Sequence, residues 1–153
     1  MKTAQRGVAL VELALILPLL LILTFITTEF GRAMFEYNAV TKSTRDAVRY
    51  LSFQTPNSTT AITTAQNLIV YGNPMPQTGA PRLARGLTTA NVDAATCCTW
   101  RLSGTSPVIN TVTVQVTGYT FRPIISSVFG ARIGNANGEI VFSTISATMR
   151  AAS

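Results

Sequence analysis

Residues 8–26, VALVELALILPLLLILTFI, form an apolar run of 19 residues interrupted by one charge, Glu12. An α-helix needs roughly 20 apolar residues to cross the hydrocarbon of a bilayer. The run therefore predicts a helix that spans a membrane, leaving the chain after about residue 28 to form a domain outside it. A carboxylate inside such a helix is expensive to bury and calls for a partner. Pro18 sits mid-run and removes one backbone hydrogen bond, which predicts a kink that lipid-embedded helices tolerate.

Outward from the run, the helical pattern continues without a proline until Pro56. Phe30, Met34, Tyr37, Thr41, Thr44, Val48 and Leu51 recur at spacings of four and three, which places them on one stripe. Ala33, Val40 and Ala47 form a small-residue stripe beside it, and Arg32, Lys42, Arg45, Asp46 and Arg49 lie mostly elsewhere. The expected element runs from about residue 8 to residue 51, on the order of 65 Å at 1.5 Å per residue, with Pro56 and Asn57 ending it.

The remainder reads as a small α+β head. Asn57-Ser58 caps a second helix in which Ala61, Ile62, Ala65, Leu68 and Ile69 share a face and Gly72 is the stop. Asn57-Ser58-Thr59 also matches a glycosylation sequon, though a cap explains it. Pro74, Pro76, Gly79 and Pro81 predict an irregular loop. Three strands are expected: residues 96–102 with Trp100 as a core anchor, residues 111–117 with strict Val/Thr alternation, and residues 139–148. Ser103-Gly104-Thr105-Ser106-Pro107 is the turn between the first two. Pro123, Ile124, Ile125, Val128 and Phe129 predict a short apolar helix or docking loop. A three-stranded antiparallel sheet laid on the long helix would bury both stripes.

Composition restricts function. Charged residues are 12% of the chain, hydrophobic ones 47%, and histidine is absent. Six acidic residues lie far apart in sequence, so the inventory argues against zinc, di-iron and Ser-His-Asp sites. No cofactor is expected. The formal charge of +6 invites nucleic acid or anionic lipid as partners, but the basic residues are scattered and form no dense patch after the apolar run. Cys97 and Cys98 are adjacent: a strained vicinal disulfide, two buried thiols and pairing with another subunit are all compatible, and a metal site lacks further ligands. A redox switch at this pair is one alternative function. Trp100, Tyr119, Phe121 and Phe142 read as core rather than as a ligand surface.

Two simpler readings of the N-terminus compete. A cleaved secretory signal has a shorter apolar core of about 7–15 residues and a small-residue site, which Gly31-Arg32-Ala33 does not supply. A plain signal anchor would make Glu12 incidental.

The leader Met1-Lys2-Thr3-Ala4-Gln5-Arg6-Gly7, followed by Val8, Glu12 and Pro18, resembles the prepilin-like start of the TadE-like family, pseudopilins of tight-adherence (Flp) pilus assembly. Gly, four residues, Glu, an apolar helix and Pro six residues after the Glu follow that pattern, with Leu13 where an aromatic is usual. Val112-Thr113-Val114-Gln115-Val116, Tyr119-Thr120-Phe121-Arg122-Pro123 and the ending Ile145-Ser146-Ala147-Thr148-Met149-Arg150 also resemble it. Residues 54–96 do not.

The resemblance implies a prepilin-type leader at 1–7, a transmembrane helix at 8–28, its extension at 29–52 and an α+β, pilin-like head at 53–153. It implies cleavage between Gly7 and Val8 by a prepilin peptidase. Glu12 would then pair with the amine of a neighbouring subunit and set register. The partners would be other minor and major pilins, with a single pass through the cytoplasmic membrane and the head outside. The count of Lys2 and Arg6 before the span against Arg32, Lys42, Arg45 and Arg49 after it gives the opposite orientation. The expected protein is not an enzyme but a minor pilin or pseudopilin supporting surface attachment. The alternative from another class is a signal-anchored protein whose outer domain binds a ligand.

Overall fold

The computed structural model describes residues 4–128 and 130–152. Leader residues Met1, Lys2 and Thr3, and Phe129 of the expected docking segment, lie outside the described residues. Helix α1 (Ala4–Leu51) has 48 residues and continues through Pro18. Near the end of the apolar run, the hydroxyls of Thr24, Thr27 and Thr28 donate to the carbonyls of Leu20, Leu23 and Thr24 one turn back.

The chain forms two compact units, residues 1–34 with 122–140, and residues 35–121 with 141–153. In the first unit, the segment after Phe121 is no helix. It contains the short antiparallel pair β4 (Ser127–Val128) and β5 (Ala131–Arg132). The amides of Ile124 and Ile125 at its start are both held by the carboxylate of Glu29. Ile124 is 66% exposed.

The second unit holds the core. From α1, Val40, Ala47, Val48 and Leu51 are buried. Helix α2 (Thr59–Tyr71) adds Ala61, Ala65, Ile69 and Val70, with the Ser58 hydroxyl accepting from Ala61 N at the start and left-handed Gly72 at the end. These are the expected cap and stop. The Ser43 hydroxyl lies 2.9 Å from Val40 O and 3.3 Å from Ile69 O, joining the two helices. The loop after Gly72 and a 3₁₀ turn (Thr89–Val92) bring in Leu87 and Val92.

Strands β1 (Cys98–Ser103), β2 (Ile109–Val116) and β7 (Ile145–Arg150) form an antiparallel sheet with β2 in the centre. Val112, Val114 and Val116 are at most 1% exposed, each stabilising by roughly 1.5–3 kcal/mol through removal from water, while the alternate threonines and Gln115 face out. Trp100 packs on this core but remains half-buried. Between β2 and β7 lie the two-residue strands β3 (Thr120–Phe121) and β6 (Ile140–Val141).

Two sequence expectations need correction. The single strand expected over 139–148 is divided into β6 and β7. At the break, Phe142 N–H donates to Tyr119 O, and the Phe142 ring sits 5.6 Å from Tyr119 and 5.3 Å from Tyr37; aromatic packing takes the residue out of a ladder. The buried face of α1 also differs at its start. Phe30 and Met34 are exposed, whereas Glu29, Ala33, Glu36 and Val40 are buried, so the small-residue stripe is the centre of the packed face.

Candidate membrane and assembly site

Along α1, apolar side chains from Val8 to Ile26 stand exposed all round the helix, among them Leu10, Leu15, Leu19 and Leu23 at 62–74%. An 18-residue window of this helix has a mean hydropathy of 2.7, and none of it is buried within the protein. At roughly 1.5–3 kcal/mol per large apolar side chain, leaving a dozen such residues in water costs on the order of 20–30 kcal/mol. That exceeds the whole stability of an ordinary domain. The helix is long and apolar enough to cross a membrane, and lipid or other helices must cover it.

The residues singled out by sequence lie on this bare helix. Gly7 is exposed, and a Cβ added there would meet nothing within 4 Å. Val8 beside it is 60% exposed. Glu12 is exposed on the next turn and makes no hydrogen bond or ion pair among the described residues. A free carboxylate on an apolar helix needs a counter-charge from outside the chain or a place at the water boundary. Pro18 is half-buried within the continuous helix. The helix brings Gly7, Val8 and Glu12 within two turns of one another.

Beyond the apolar run, at Glu29, α1 changes character. Glu29 is 4% exposed. One carboxylate oxygen accepts from the amides of Ile124 and Ile125 at 3.0 and 3.1 Å; the other accepts from Arg32 at 2.9 and 3.2 Å. Arg32 also donates to Arg122 O at 2.8 Å, and Arg122 pairs with Glu139 at 2.8 Å. Burial raises the Glu29 pKa, but Arg32 and the two amides outweigh it and hold the carboxyl below its usual range. The group is a clamp for the backbone of 122–125.

A second buried acid, Glu36, accepts the Tyr119 hydroxyl at 2.6 Å. Sequence reading missed both acids as structural residues. The signal was present: Glu29 and Glu36 are in phase with Ala33, Val40 and Ala47, on the face that packs.

Cys97 and Cys98 are joined by a disulfide and are 1% and 7% exposed. The Cys97 amide donates to Asp93 O and its carbonyl accepts from Gln115 N. The pair lies inside the core at the entry to β1. No group of three potential metal ligands occurs among the described residues.

Residues 7–49 match the family described as TadE-like protein. Over this segment the chain is similar to that family. The TadE-like match begins at Gly7, includes Glu12 and Pro18, and runs through Glu29 and Glu36 to the last turns of α1. Neither a curated protein nor a solved structure matches this chain.

Proposed function

We propose that this protein is a minor pilin or pseudopilin of a tight-adherence (Flp) pilus, anchored in the cytoplasmic membrane with its head outside, and that it supports pilus assembly and surface attachment. The observation that carries the reading is the coincidence of the TadE-like match over residues 7–49 with a helix that holds an 18-residue apolar window, none of it buried within the protein.

A prepilin peptidase cleaves between Gly7 and Val8, where the absence of a side chain permits close backbone approach. The new amine at Val8 then lies about one helical turn from Glu12. Glu12 of one subunit pairs with the amine of a neighbouring pilin. Such a pair offsets the cost of placing either charge among apolar side chains and fixes the register between helices.

The test is expression of the full chain with and without the cognate prepilin peptidase, followed by mass spectrometry of the N-terminus. A start at Val8 that requires the peptidase supports the reading. An intact leader, or a cut near Ala33, overturns it.

A further inference from the structure

The wet face of the sheet carries an arrangement that assembly through α1 does not use. Register places Arg101 opposite Thr111 and Thr111 opposite Arg150, so two arginines flank one threonine in a row across β1, β2 and β7. Both are exposed, and neither guanidinium has a partner among the described residues. Two strand steps separate their Cα atoms by about 10 Å. The next rows on this face are Thr99, Thr113 and Thr148, then Gln115 and Ser146. The Thr113 and Thr148 hydroxyls bond each other at 2.8 Å, and the Thr111 hydroxyl is anchored on Arg101 O.

What is missing from the face is as informative. None of the three strands contains an acidic residue. Trp100, the one aromatic residue in them, lies opposite Val112 on the core side. The face therefore has planar cations suited to carboxylates and rows of hydroxyls, and none of its own side chains is aromatic; the exposed ring of Phe53 lines a cavity beside Arg150.

We propose that this sheet face binds an acidic polysaccharide, with Arg101 and Arg150 taking carboxylates and the Thr99, Thr113, Thr148 and Ser146 hydroxyls meeting sugar hydroxyls. One exposed ion pair is weak. A polymer offers repeated carboxylates, and avidity converts weak contacts into retention. This inference is independent of the pilus reading, because it concerns residues outside the TadE-like match.

The experiment measures binding of the full chain in detergent micelles to polygalacturonate, with dextran and polyglutamate as comparators. The expected result is binding to polygalacturonate, weaker binding to polyglutamate and none to dextran. Arg101→Gln/Arg150→Gln should weaken binding about tenfold, and Arg82→Gln/Arg85→Gln, which removes the same charge elsewhere, by less than about twofold. Circular dichroism confirms that the variants fold. Absence of binding, equal loss in both variant pairs, or equal affinity for polyglutamate would each overturn the proposal.

Discussion

The Tyr119 hydroxyl donates to Glu36 Oε2 at 2.6 Å, with both residues at most 7% exposed. The Tyr119 ring stacks on Phe142, so one side chain satisfies a buried acid and closes the aromatic cluster. Tyr119→Phe keeps the ring and removes the donor. It should destabilise the second unit by about 1–3 kcal/mol, the penalty for depriving a buried polar group of a partner. Thermal unfolding in detergent followed by tryptophan fluorescence reads this, and an unchanged midpoint would contradict it.

Glu29 is the clamp of the 122–125 backbone, and Glu29→Ala should release it. Hydrogen exchange at the Ile124 and Ile125 amides should accelerate, while β2 amides keep their protection. Acid should reproduce the effect. Because the folded pKa is lowered from 4.5, this stabilisation is complete above that value and is lost as pH falls through the lower folded value. Exchange in this segment that is indifferent to the substitution would refute the clamp.

Processing and assembly should separate genetically. Gly7→Ala meets no atom within 4 Å and raises helix propensity by up to about 1 kcal/mol, so the fold tolerates it; under the pilin reading, cleavage nonetheless falls. Glu12→Ala should leave cleavage intact and reduce recovery with other pilins in pull-downs. Normal recovery of that variant would remove the register role.

The turn between β1 and β2 tests backbone geometry. Gly104 has φ +90°, and a Cβ there would lie 2.7 Å from Pro107 O. Gly104→Ala should cost at least about 2 kcal/mol and shift amide resonances along β1. Gly79→Ala also takes up a positive φ, of +84°, but meets nothing within 4 Å; its cost should be smaller, about 1 kcal/mol. Equal losses would show that steric contact with Pro107 is unimportant.

Much of this fold could be read from local chemistry. The cap and stop of α2 depend on Ser58 and Gly72, and the buried face of β2 on a period of two; both are encoded within a few residues. The division of β6 from β7 was not legible, because Phe142 is drawn to Tyr37 and Tyr119, which are distant in sequence. The packed face of α1 departs from the expected stripe only at its start. Phe30 and Met34 look like core by hydrophobicity, yet Glu29 and Glu36 take the inward positions because Ile124, Ile125, Arg32 and Tyr119 supply their partners. Of the candidate site, Gly7, Glu12 and Pro18 stood out as departures from an apolar pattern. The arginine row on the sheet required strand register, which spacing along one chain does not supply.

The threonines that close the apolar run have a mechanical consequence. Thr24, Thr27 and Thr28 each carry their own acceptor, the carbonyl one turn back, so their hydroxyls are satisfied in lipid and in water alike. The lower end of the helix thus has no sharp solvation step tying it to one depth. Were a subunit drawn out of the bilayer on this side, these hydroxyls would add little resistance of their own, and the opposing force would come from the leucines that followed and from the Glu12 carboxylate carried toward the hydrocarbon.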